Sequence, residues 1–123
     1  MKLIEAITRI DKLKHNPYSR EEKLQWLSTL DTMVKTQLMD THQGCEAAHF
    51  CGYSESTPAD TVLLVPAPYD ELYLWWLAAR IDYHNGELIH YNNSIALFNN
   101  GYRAYADHYI RNHTPLTCQK GFG

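Results

Sequence analysis

Basic runs, paired cysteines, glycine-rich loops and long apolar stretches are all missing from this 123-residue sequence. Its eleven lysines and arginines are scattered among fourteen acidic residues for a net charge of -3, so there is no electrostatic grip for a nucleic-acid backbone. Cys45, Cys51 and Cys118 form an odd set without disulfide-framework spacing, as expected of a reduced, intracellular chain. The most apolar window, 62–81, is broken by Pro66, Pro68, Asp70 and Glu71, which excludes a membrane span. The opening MKLIEAITRIDKLK carries charges throughout and reads as an amphipathic helix instead of a signal peptide. Without a phosphate loop, nucleophile elbow or dinucleotide fingerprint, the chain is not expected to be an enzyme, and no catalytic residue is assigned.

What the sequence has in quantity is aromatic surface: nine tyrosines and three tryptophans, side chains that suit interfaces as well as cores. Many fall in residues 70–112, which read as two helices folded back at Asn85-Gly86. Leu88, Tyr91, Ile95, Phe98, Tyr102, Tyr105 and Tyr109 alternate intervals of three and four, one apolar seam along a helix. The helix before it, with Tyr73, Trp75, Trp76, Leu77, Ala78 and Ala79 in succession, is apolar on nearly every side and is expected to be surrounded. Asp70 is positioned as its N-cap. Gly101 sits within the final helix but off the seam, as at a bend or a close backbone approach.

Upstream, Leu3, Ile7, Ile10 and Leu13 lay one stripe on a first helix that ends at Asn16-Pro17. Ser19 and Glu22 make a capping box for a second, which carries Leu24, Leu27, Leu30, Val34 and Leu38 inward while Arg20, Glu21 and Lys23 face water. The fold class expected is all-α: two helical hairpins forming a small four-helix bundle, with helices over about 2–14, 20–42, 70–84 and 87–112 in one domain, 1–115. A long central loop joins the hairpins, and a short strand over 61–65 is its one regular-looking piece. The tail, 116–123, has no periodicity and reads as flexible.

Two patterns carry ligand types without the context a metal needs, and no cofactor is expected. Glu46 with His49 and Glu87 with His90 are Glu-x-x-His units of the kind used in di-iron bundles, with Glu22 and Glu71 as the further ligands to be imagined. The first unit, however, falls in the loop. His42, Cys45, His49 and Cys51 are ligand types that zinc accepts, at a spacing no ordinary structural zinc site has, so metal ligation is not assigned to them. Asp82, Tyr83 and His84, facing Tyr91, Asn92 and Asn93 across the turn, make a polar-aromatic cluster: a hydrogen-bonded helix end, or a contact surface for another protein.

The helix from Ile4 to Leu13, the turn Asn16-Pro17-Tyr18-Ser19 with Glu22-Lys23 and Trp26-Leu27, and the run Leu63-Leu64-Val65-Pro66-Ala67-Pro68-Tyr69-Asp70-Glu71-Leu72-Tyr73 follow in order. Ile81-Asp82-Tyr83, Asn85-Gly86-Glu87 and Tyr91-Asn92-Asn93-Ser94 complete the set. Over most of its length the chain thereby resembles the small head-to-tail connector (adaptor, head-completion or neck) proteins of tailed bacteriophages and of prophages of Gram-positive bacteria. The resemblance implies a virion structural protein, assembled in the bacterial host cytoplasm, that forms a ring with copies of itself on the portal protein. It would dock the adjacent neck or tail protein around a channel through which packaged DNA passes without specific binding, and it would need no membrane. The His and Cys positions of the loop lie outside the resemblance. Thr61, Val62, Leu63, Leu64 and Val65, as an extended arm, and Leu116 and Phe122, in the tail, are the segments expected to contact neighbouring subunits. Two other readings stay open on the residues alone: a small helical metal-binding protein using the Glu-x-x-His units, and a helical adaptor unrelated to virions.

Overall fold

The computed structural model describes residues 1–39, 50 and 52–113, and among these the regular structure is helical throughout, without a strand. The helices are α1 (Leu3–Leu13), α2 (Arg20–Val34), α3 (Leu72–Asn85) and α4 (Leu88–Asn112). A π-helical turn, Lys35–Met39, extends α2, and a 3₁₀ turn, Tyr69–Glu71, leads into α3. No described helix is long and apolar enough to cross a membrane.

The expected capping box forms: Glu22 N–H donates to Ser19 Oγ at 3.1 Å and Ser19 N–H donates to Glu22 Oε1 at 3.2 Å. Before it, Asn16 Oδ1 accepts from Tyr18 N–H at 3.1 Å, an Asx turn that redirects the chain between α1 and α2. α3 is the element the others surround. It contacts α1, α2 and α4, and α1 and α2 each lean on α3 more than on one another. Tyr73, Leu77, Ala79 and Ile81 are fully enclosed there, while Leu3, Ile10, Leu24, Leu27, Leu30 and Val34 come in from α1 and α2. Each large aliphatic side chain so buried contributes about 1.5–3 kcal/mol.

Gly86, at φ 75°, closes α3; Gly86 N–H donates to the Tyr83 carbonyl at 3.1 Å and Glu87 N–H to that of Asp82 at 3.0 Å. At Gly101 a Cβ would stand 3.4 Å from Cβ of Leu72, an ordinary van der Waals contact, so α4 passes the start of α3 there without the packing requiring a glycine.

Several side chains depart from the periodic pattern. Leu13, the last residue of α1, is 67% exposed, and Leu88, the first of α4, 65%. The inward seam of α4 is confined to Phe98, Tyr105 and Tyr109, with Ile95 and Tyr102 partly covered. Lys23 does not face water; it is buried, with Nζ 2.6 Å from Asp11 Oδ1, and the ion pair ties α2 to α1. Asp70 does not cap α3, because its carboxylate lies 3.2 Å from the Met1 α-ammonium and the 3₁₀ turn places Glu71 at the N-cap without a side-chain bond.

The region expected as a strand or free arm is neither. Val62 makes one isolated antiparallel bridge with Lys2. Leu3 N–H donates to the Thr61 carbonyl at 2.8 Å and Ile4 N–H to that of Ala59 at 3.0 Å. These are first-turn donors with no partner inside α1, so the segment serves as a backbone cap for that helix. Leu63 and Val65 are buried in the chain's own core, and the extended-arm expectation for them is corrected on that ground. Val62, 63% exposed, is left open to solvent.

Candidate protein-interaction face

Trp76, Arg80, Tyr83 and His84 stand at i, i+4, i+7 and i+8 and therefore share one side of α3. α2 meets that side. The Trp76 indole N–H donates to the Trp26 carbonyl at 2.8 Å, which fixes the indole, and its ring lies 5.0 Å from that of Phe98 on α4. Trp26 stacks on His84 with centroids 5.4 Å apart and planes 14° from parallel. Tyr18 completes the group, edge-on to Trp26 at 5.7 Å, and its hydroxyl donates to Asn85 Oδ1 at 2.6 Å.

The Arg80 guanidinium lies over two rings, 5.5 Å from the centroid of Trp76 and 5.3 Å from that of Tyr83. Tyr83 is 52% exposed and sits 5.8 Å from Tyr91 across the hairpin. Beyond Tyr91 the first turns of α4 show Leu88 and Ile89 to solvent. A face of aromatic and cationic groups thus runs from α2 over the end of α3 to Tyr91 of α4, the composition found at the centres of protein interfaces.

Beneath it, Asp82 is fully buried. Ser94 Oγ donates to Asp82 Oδ2 at 3.1 Å, and Lys14 Nζ lies 2.9 Å from Oδ1 as a charge contact without the alignment of a hydrogen bond. This pair joins α1, α3 and α4 under the face. The cluster expected at this end is therefore only partly assembled: Tyr83 and Tyr91 meet, His84 turns to α2, Asp82 points inward, and Asn92 and Asn93 stay exposed. Trp26, Trp76 and Arg80 also join this end; spacing along α3 is the local signal for Trp76 and Arg80, while Trp26 comes from α2 and has none.

A second polar constellation is built around Asp31, fully enclosed among the inward leucines of α2. Tyr73 Oη donates to Asp31 Oδ1 at 2.6 Å; Tyr53 Oη and Leu64 N–H, the latter at 3.2 Å, donate to Oδ2. Tyr73 Oη in turn accepts from Val65 N–H at 2.8 Å. Burial pushes the Asp31 carboxyl above its ordinary value, against the opposing pull of the two tyrosines and the Leu64 amide. Burial, and then the neighbouring Asp31 charge, push both tyrosine hydroxyls up. Asp31 thus pins residues 53–65 to α2 and α3, a structural task; its sequence signal was one carboxylate on the apolar side of α2. Near it, Glu21, Gln25, Ser28, Tyr53 and Glu55 line an open groove of about 630 Å³, whose Glu55 pairs with Arg20 at 3.6 Å.

The metal candidates divide in two. His42, Cys45, Glu46, His49 and Cys51 lie outside the described residues, as do Leu116 and Phe122 of the tail. Glu22 is engaged with Ser19, Glu71 pairs with Arg9 at 3.1 Å, and Glu87 and His90 are exposed at the start of α4. Among the described residues no three His, Cys, Asp or Glu side chains gather around a common point.

No protein-family model, curated protein or solved structure matches this chain, so its functional reading rests on its own residues.

Proposed function

We propose that this protein is a structural head-to-tail connector of a tailed bacteriophage or prophage, which assembles as a ring on the portal and docks the next neck or tail component. The observation that carries the reading is the place of the run 63–73, the most specific part of the resemblance. In this run Leu63, Val65, Leu72 and Tyr73 are buried, Val65 N–H and Asp31 meet on the Tyr73 hydroxyl, and Asp70 holds the Met1 ammonium. The run that carries the resemblance is thus the junction on which the helices are assembled. The aromatic face around Arg80 supplies a surface for a neighbouring protein. The acidic balance suits a channel through which DNA slides, since few phosphates would be neutralised.

On this proposal the half-buried Thr61 and Leu64, the exposed Val62, and the tail bearing Leu116 and Phe122 are the remaining contact candidates. The test is co-purification with portal rings viewed by electron microscopy. Ring density on the portal is the expected result; failure to bind portal-bearing heads, with normal neck assembly in its absence, overturns the proposal. A chain lacking residues 116–123 that binds portal unchanged removes the tail from the interface. A helical adaptor unrelated to virions is the reading that the same face supports if portal binding fails.

A further inference from the structure

We propose that Arg80 anchors a carboxylate-binding notch on the aromatic face, and that its ligand is an Asp or Glu side chain in an acidic segment of a partner protein. Arg80 carries five N–H donors. Among the described residues none of them makes a hydrogen bond or ion pair; the guanidinium meets only the rings of Trp76 and Tyr83, and its Nε–H is buried with no acceptor. The shortage is not one of acids, because the sequence has fourteen. On the adjoining elements Glu22 bonds to Ser19 and Asp82 faces inward toward Lys14, and neither Glu21 nor the exposed Glu87 pairs with Arg80.

The geometry holds the fork ready. Trp76 is fixed by its bond to the Trp26 carbonyl and by Phe98, so the ring under the guanidinium does not have to be ordered on binding. Exposed Tyr83 forms one wall, and the His84 ring, 5.4 Å from Tyr83 and stacked on Trp26, continues the surface. Because the Nε–H is enclosed, a carboxylate would be met end-on by the two Nη groups, accepting two parallel N–H bonds while its methylene stem packs on the rings. A nucleic-acid backbone would call for a row of cations; this face offers one unpaired guanidinium, enough for a single carboxylate. This inference does not rest on the connector proposal, since it names the chemistry of the partner whatever assembly the partner belongs to.

The test is a titration of the full chain with N-acetylated, C-amidated hexaglutamate at low salt, read by NMR at the Trp76 indole N–H and the Arg80 Nε–H. Hexaserine and an oligothymidylate are titrated in parallel. Saturable shifts at both groups are expected with hexaglutamate and not with hexaserine, and they should weaken as salt is raised. R80M, which keeps the stem over Trp76, should raise Kd about tenfold or more, and R80K should fall between, because it keeps the charge and loses the fork. Should R80M fail to fold, as seen by circular dichroism, R80K decides: an affinity equal to that of the unsubstituted chain overturns the notch. The proposal also fails if hexaglutamate gives no saturable shift, or shifts R80M equally. Tighter Arg80-dependent binding of the oligothymidylate would point to nucleic acid instead, and an Arg80-dependent dimer in sedimentation without peptide would assign the notch to a second copy.

Discussion

Trp26 lies flat against His84, 5.4 Å between centroids, although the two are far apart in sequence and on different helices. The contact joins α2 to the last turn of α3, and the Trp76 indole reinforces it by donating to the Trp26 carbonyl. A backbone acceptor survives substitution of the side chain that carries it, so the stack can be tested apart from the hydrogen bond. Trp26→Leu should leave the helices formed and cost about 1–3 kcal/mol, from lost burial and ring contacts. Urea denaturation followed by circular dichroism measures this; a cost near zero would mean that the stack does not hold α2 to α3.

The Asp31 carboxyl is raised from its ordinary value of 3.8, mainly by burial, so the folded chain holds that proton more tightly than the unfolded one. Its contribution to stability is then full below about 3.8 and is lost as pH rises through the higher folded value. The stability difference between the unsubstituted chain and Asp31→Asn should accordingly fall as pH is raised from about 4. Denaturation at a series of pH values, with the carboxyl carbon followed by NMR, checks the sign. A difference that grows with pH would show hydrogen bonding outweighing burial.

Tyr53 and Tyr73 both donate to Asp31, but only the Tyr73 hydroxyl also accepts from a buried amide, Val65 N–H. Tyr73→Phe removes a donor from a charged acceptor and orphans the amide, at about 2–4 kcal/mol; Tyr53→Phe removes one donor, at about 1–2 kcal/mol. The order of the two in thermal or chemical denaturation is the checkable result, and equal costs would contradict the shared role of Tyr73.

Gly86 and Gly101 should respond differently to alanine. Gly86 has φ 75° with open space where a Cβ would go, so Gly86→Ala meets backbone strain alone and should destabilise by about 1 kcal/mol. At Gly101 the added Cβ reaches ordinary contact with Leu72, 3.4 Å away, while helix propensity improves by up to about 1 kcal/mol. Gly101→Ala should therefore be neutral or stabilising in the same denaturation assay. A loss above about 1 kcal/mol there would mean that α4 cannot give at Leu72.

The helices, the Ser19–Glu22 capping box and the Gly86 turn were legible in the sequence because each depends on residues within one or two turns of one another. Periodicity also found the inward leucines of α2 and the enclosed character of α3. It placed Leu13, Leu88 and Lys23 wrongly, since a stripe does not say which of its residues the fold covers or which charge finds a partner. Residues 61–65 looked like an arm for the same reason: only the fold brings Thr61 and Ala59 to the unpaired amides of α1 and Leu63 and Val65 into the core.

What the sequence determined by itself was the all-helical class, the helix positions and the aromatic wealth, all properties of local spacing and composition. What only the tertiary structure decided was which aromatics meet. The Asp31, Tyr53 and Tyr73 network, the Trp26–His84 stack and the unpaired guanidinium of Arg80 join, or leave unjoined, groups on separate helices and the segment between them. Such pairings follow from how helices settle against α3, and no local pattern encodes that.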